Sequence, residues 1–298
     1  QASVALHNKT LLDHQQRMVK IERDMEIARQ IQANFLPESL PQSPGWEFEA
    51  CFYPARTVAG DFYDVFNLPS QHPCIVIADV CDKGVGAALY MALIRSLIRA
   101  FSQEGYSDSK GMYLQGGDAQ KPTAQVLTTL LDNLDILSSV VQTNNFLVAN
   151  HYQLNMFATV FLGVIDPHTN VLTYINAGHN PPIVFNNKDG VKERLLPSGP
   201  AVGIFPATNF TIRQTQLEPG DFLFTFTDGV SDARSPAGTQ FSDQRIRDVL
   251  TASPVASARQ ALDQLENILW AHIADAEQYD DITMLVVHRR PEPGNEEA

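Results

Sequence analysis

Four short segments of this 298-residue chain place aspartate where an apolar run stops: Gly60-Asp61 in TVAGDFYD, Asp79 in VIADVCDKGVG, Asp228 in FTFTDGVSDA and Asp280-Asp281 in QYDDITMLVV. An apolar strand that ends in Asp, often followed by Gly, sets a carboxylate at the rim of a sheet. Several such rims brought together make a cluster of hard oxygen donors. Such a cluster cannot stay fully ionised without a cation, and the ions that suit it are Mg²⁺ or Mn²⁺. Two of them about 3.5–4 Å apart can activate a water for in-line attack on phosphorus. Any one TDG or DDI tripeptide is also an ordinary turn, so the chemistry is carried by the set. Asp64 and Asp82 read as solvated or turn residues rather than ligands.

Strands and helices must bring these rims together. From Trp46 onward, WEFEACFYPA, DFYDVFNL and CIVIADV read as strands. A helix follows over 84–101, with Leu89, Leu93, Leu97 and Phe101 spaced by four, then a glycine-rich loop over 102–120. A second helix runs over 123–141 on a stripe of Val126, Leu127, Leu130, Leu131, Leu134, Leu137 and Val141. Strands resume with MFATVFLGVID, VLTYINAG, PPIVF and FLFTFTD. Ser253-Pro254 reads as N-cap and first turn of a last long helix, and ITMLVVHR closes the fold as a strand. This order predicts an α+β layered sandwich over 46–290, with a disordered tail over 291–298.

Residues 1–37 form a separate unit. Val4, Leu11, Met18 and Met25 recur every seven residues, with His7, His14, Ile21, Ala28 and Phe35 at the companion positions. Pro37 and Pro41 end the helix. Two readings stay open: an amphipathic helix packed on its own domain, or a coiled-coil linker that makes a homodimer through residues 4–35.

Composition bounds the partners. A net charge of −13 disfavours nucleic acid and anionic membranes. No apolar run of 18 residues stands out as a membrane span, and no signal peptide opens the chain. Three cysteines without CxxC spacing suit a reducing cytoplasm. The first residue is not Met, which is read as the loss of an upstream part, a sensor domain among the possibilities.

The series AGDFYD, ADVCDKGVGAALYMA, NAGHNPP, SGPAVGIF, TDGVSDA and DDITMLVV resembles the PPM (type 2C) protein phosphatases. It is most similar to their bacterial SpoIIE/RsbU-like branch, from about residue 46 to 288, and EIARQIQANFLP resembles that branch's linker helix. The resemblance implies an α-β-β-α sandwich and a metal-dependent serine/threonine protein phosphatase. Its implied partner is a phosphoprotein such as an anti-sigma-factor antagonist. It makes Asp79 the metal-bridging aspartate, with the Val80 backbone carbonyl as a neighbouring ligand. Asp61 and Asp228 are then ligands of one metal and Asp280, rather than Asp281, of the other. Asp232 and His179 fall near a possible third metal, and Arg56, five residues before Asp61, is a candidate phosphate contact.

Two positions depart from the family pattern. Cys81 stands where many relatives place a histidine general acid, and Ala59 replaces the first Gly of a GGD motif. The chain has no nucleophilic Cys with Arg six residues on, no GxSxG and no GxxxxGK[ST], which excludes cysteine phosphatases, serine hydrolases and P-loop NTPases. The rival expectation is a weak or inactive homologue serving as a dimeric signalling scaffold.

Overall fold

The computed structural model describes the backbone of residues 2–114 and 124–291, and the side chains of these outside 2–6, 8–10 and 104–136. Two five-stranded antiparallel sheets stack face to face. The first has the order β1 (Trp46–Tyr53), β10 (Ile282–Arg289), β9 (Phe222–Phe226), β6 (Ile183–Asn186), β7 (Gly190–Arg194). The second runs β2 (Phe62–Asn67), β3 (Pro73–Val80), β4 (Ala158–Asp166), β5 (Val171–Ala177), β8 (Arg213–Gln216). Helices α2 (Val85–Leu114) and α3 (Ala124–His151) cover the second sheet, while α5 (Ser242–Ala252) and α6 (Ala258–Ile273) cover the first. The expected α-β-β-α sandwich is the fold observed.

Alternation along the strands builds the three apolar layers, because successive side chains point to opposite faces. In β3, Cys74, Val76, Ala78 and Val80 pack toward α2 and α3, whereas Ile75 and Ile77 pack between the sheets. In β10, Met284 and Val286 face α6, whereas Leu285 and Val287 face the other sheet. The same parity carries on to the strand ends. Asp79 takes the next inter-sheet position after Ile75 and Ile77, and Thr283 the position before Leu285.

Several sequence expectations are corrected. Helix α2 extends through Leu114, into the stretch read as a loop; 115–120 lie outside the described residues, as does the tail beyond Pro291. Its buried stripe is Ala87, Met91, Ile94 and Ile98, and Leu89 is 69% exposed. A strict four-residue spacing drifts by about 40° per step around a helix of 3.6 residues per turn, so it cannot follow one face. Val85–Gln103 is apolar and long enough to cross a membrane by composition, but in this fold it is the core helix whose buried stripe has just been named. Helix α3 runs on to His151, ten residues past the expected end. Ser253 and Pro254 do not open α6; they terminate α5, and Ser257 caps α6 by accepting a hydrogen bond from the Gln260 N–H.

Asp64 is not solvated. It is buried on the α2 side of β2, where Arg99 grips it with two hydrogen bonds of 2.6 and 2.7 Å and Arg95 Nε lies 3.0 Å away. Asp82 is the turn residue expected: it has φ of +74° and accepts from the Lys83 N–H.

Among its described side chains, helix α1 (Ala2–Ala33) packs on the domain near its end. Leu11, Met18 and Ile21 are exposed, so packing along the whole seam is not observed. Gln32 is buried and forms a two-point clamp on Ala59: its Nε2 donates to the Ala59 carbonyl at 2.7 Å and its Oε1 accepts from the Ala59 N–H at 2.9 Å.

Removing Asp64 would leave two partly buried guanidinium groups unpaired. Asp64→Ala is expected to cost about 3–5 kcal/mol of unfolding free energy, whereas Asp82→Asn, which tolerates the left-handed backbone, should change it by less than about 0.5 kcal/mol. Urea unfolding of the two variants checks the contrast.

Candidate metal-binding active site

The antiparallel register of β2 on β3 pairs Phe62 with Ala78, so one step further sets Asp61 opposite Asp79. The two carboxyls share a hydrogen bond at the end of the inter-sheet cleft. Asp61 is buried and also accepts from Thr283 Oγ1 at 2.7 Å and from Thr227. Burial, Asp79 and Asp281 together hold its carboxyl well above the usual range. Burial, Asp228 and Asp280 push Asp79 up to about 7. Asp228, the first residue of the one-turn helix α4 (Asp228–Ser231), is raised by burial, Asp280 and Asp232 and eased by Lys83. Proximity of like charges in a poorly solvated cleft is the physical cause throughout. The structure therefore brings Asp61, Asp79, Asp228 and Asp280 into one electrostatically coupled cluster. Among the described residues no group of three or more Asp, Glu, His or Cys side chains is placed, as it stands, to hold a metal ion.

The two aspartates of the DD pair diverge. Asp281 is buried and accepts the N–H groups of Ala55 at 2.7 Å and Gly60 at 2.9 Å, tying the loop before Asp61 to β10. Asp280 is more exposed and faces the cluster, with Lys83 Nζ 2.8 Å from its Oδ2. Two glycines allow this approach. A Cβ on Gly229 would lie 1.9 Å from the Asp281 carbonyl oxygen, and one on Gly60 would lie 2.9 Å from the Val80 carbonyl oxygen. The Val80 carbonyl thus sits against the loop that carries Asp61.

The remaining candidates are placed as follows. Asp232 caps α4, accepts from Gln240 Nε2 at 3.2 Å and adds to the negative field on Asp228. His179 is buried, shares a 2.8 Å hydrogen bond through Nδ1 with Thr159 Oγ1, and is pushed down to about 3 by burial. It is a neutral ring within the fold, and no described contact joins it to Asp232. Arg56 is exposed on the wall of a cleft of about 390 Å³ that Lys83 and Tyr279 also line. Cys81 accepts from the Phe157 N–H, and burial raises its thiol, so it is no ready proton donor.

Sequence reasoning missed Lys83, Thr283, Thr227 and the structural part played by Asp281. Lys83 had a signal in DKG directly after the Asp79 strand. The threonines had one in the inter-sheet parity of β9 and β10, visible only once the register is known.

The SpoIIE family model, described as Stage II sporulation protein E, matches residues 69–290. Over 289 residues the chain is 42% identical to protein IcfG of Synechocystis sp., a match covering 94% of this chain and 44% of IcfG, so the chain spans less than half that relative's length. It is 26% identical to phosphoserine phosphatase RsbU of Bacillus subtilis, across 91% of this chain and 71% of RsbU. Among solved structures, the SiaA-PP2C domain of Pseudomonas aeruginosa superposes with a TM-score of 0.67 at 20% identity, covering 91% of this chain and 98% of that one. The chain belongs to the SpoIIE family and has the fold of the PP2C domain of SiaA.

Proposed function

We propose that this chain is a divalent-metal-dependent phosphatase that hydrolyses phosphoserine or phosphothreonine on a partner protein, a bacterial signalling regulator of the anti-sigma-factor-antagonist kind. The observation that carries the reading is the crowding of Asp61, Asp79, Asp228 and Asp280 at one end of the inter-sheet cleft, where added positive charge is needed for all to ionise. The donor set is all oxygen, which fits Mn²⁺ or Mg²⁺ and not a softer ion. Asp79 would serve two ions, Asp61, Asp228 and the Val80 carbonyl would complete one position, and Asp280 the other. Asp232 would attend a weaker third position without His179. When bound, the ions would neutralise the cluster and activate water toward phosphorus.

The chain's own residues then do the positioning. Thr283 and Thr227 orient Asp61, Asp281 fixes the loop before it, and Arg56 meets the phosphate from the cleft wall. No thiol is suited to attack: burial raises Cys51 and Cys81, and Cys74 lies in the core. RsbU, a relative, is named a phosphoserine phosphatase.

Control would enter through α1. Its exposed seam suits a second copy of the helix, and the Gln32 clamp reaches Ala59, two residues before Asp61. A sensor joined upstream would act by turning or pairing this helix, and a tenfold change in metal affinity needs only about 1.4 kcal/mol.

Three outcomes are expected. The first follows from linkage: Asp61 and Asp79 bind protons more tightly folded than unfolded, so their share of the stability is present at low pH and lost as pH rises through the folded values, about 7 for Asp79. Metal competes with those protons. The gain in melting temperature from Mn²⁺ over EDTA should therefore grow between pH 5 and 8; a pH-independent gain would contradict the cluster. In the second, Asp79→Asn should lower Mn²⁺-dependent release of phosphate by about 10²–10³-fold, the equivalent of several kcal/mol of lost charge stabilisation. Joint replacement of Cys51, Cys74 and Cys81 by Ala or Ser should keep much of the rate. In the third, charged replacements of Met18, Ile21 and Met25 should give a monomer by analytical ultracentrifugation with an altered Mn²⁺ requirement; a monomer with unchanged rate and metal dependence would reduce the helix to a tether.

A further inference from the structure

Tyr279 is 59% exposed one residue before Asp280, and two cations lie near its ring. Lys83 Nζ lies 4.4 Å from its ring centroid and donates to its backbone carbonyl at 2.7 Å. The Arg234 guanidinium lies 5.2 Å from the same ring. The loop that carries the ring is fixed as well: Gln278 Nε2 donates to the carbonyls of Tyr53 and Asp280 at 2.7 and 2.8 Å. An exposed aromatic with two cations against its ring, one residue before Asp280, contributes little to a core. Its rotamer freedom is already reduced, which makes it a contact surface that loses little entropy when a chain settles on it.

Charge says what kind of chain. The molecule carries −13 overall, yet Arg56, Lys83 and Arg234 gather around this one ring. Lys83 is engaged by Asp280. Arg56 faces the cleft, where Glu277 also stands. Arg234 is exposed and makes no ion pair among the described residues. Arg56 makes no ion pair there either but is assigned above to the phosphate, so Arg234 is the cation available to a charge on the ligand's flank.

We infer that Tyr279 and Arg234 form a substrate seat beside the phosphate site: the backbone flanking the phosphoserine lies on the Tyr279 ring, and an acidic side chain of that flank pairs with Arg234. Both are positioning residues, and the seat rests on the phosphatase reading above. A basic flank meets like charge on Arg234 and Lys83 and is disfavoured.

The test uses the full chain with Mn²⁺, p-nitrophenyl phosphate, and three phosphoserine peptides of equal length whose flanks are acidic, neutral or basic. At low salt kcat/KM should fall in that order, with about a tenfold span that shrinks as ionic strength rises. Tyr279→Ala should raise KM for the peptides about fivefold with kcat nearly unchanged. Arg234→Glu should reverse the order of acidic and basic peptides, and Arg234→Gln should level it. If p-nitrophenyl phosphate is hydrolysed but the three peptides are handled alike, or their order survives Arg234→Glu, the seat is wrong and the phosphatase reading stands. If the wild-type chain releases phosphate from none of the four substrates, the phosphatase reading falls and the seat falls with it.

Discussion

Carboxylates that face one another in a poorly solvated cleft repel strongly. At about 4 Å and an effective dielectric near 20, each like pair costs about 4 kcal/mol. Asp61, Asp79, Asp228 and Asp280 are held in that situation by strands that do not yield, because each strand is locked by antiparallel partners and by apolar layers on both faces. The fold cannot relieve the repulsion by moving the carboxylates apart without breaking sheet register. It relieves it by retaining protons, which is why Asp79 is pushed up to about 7 and Asp61 is held well above the usual carboxylate range. The negative field that retains those protons is one that the divalent ions proposed above would neutralise.

Around that repulsion the neighbouring residues fall into two groups. Some stabilise the cluster's frame: Asp281 ties two backbone N–H groups, Gly229 permits the Asp281 backbone to pass close by, and Thr283 meets Asp61. Others bring positive charge to the rim, with Lys83 on Asp280 and Arg56 and Arg234 beyond it. The separation of Asp280 from Asp281 illustrates the division. They are adjacent in the segment just before β10, yet Asp281 is spent on the Ala55 and Gly60 N–H groups while Asp280 pairs with Lys83.

Much of this was legible in the sequence. The apolar runs of β3 and β9, which lead to Asp79 and Asp228, are unambiguous strands and the sandwich follows from the order of such runs, whereas Asp61 and Asp280 stand just before β2 and β10 rather than at a strand's end. What was not legible lacked an apolar signal. Strands β7 and β8, GVKER and RQTQ, lie at the edges of their sheets and are polar, so alternation does not mark them. Helix α5 buries only Ile246, Val249 and Leu250 among polar neighbours. Asp64 was misjudged because its partners, Arg95 and Arg99, lie over thirty residues away on α2, a distance that only the folded chain closes.

The geometry of α1 carries the argument one step further. A long helix with an exposed apolar seam is unfavourable in water by itself, since each exposed aliphatic forgoes about 1.5–3 kcal/mol that burial would supply. Among the described residues its end is held on the domain by Gln32, whose amide supplies the backbone partners that Ala59 would have had in a sheet. Ala59 leads through Gly60 into Asp61, and Gly60 is itself held by Asp281. Any rotation of α1 that moves the Gln32 amide must therefore strain a short segment fixed at its other end by β10 and the acidic cluster. A segment pinned at both ends transmits small displacements without loss, because close-packed surroundings leave no slack to absorb them. Helix α1 and the carboxylates are joined through two residues of backbone, so under the control proposed above a signal at the seam would reach the acidic cluster by this segment.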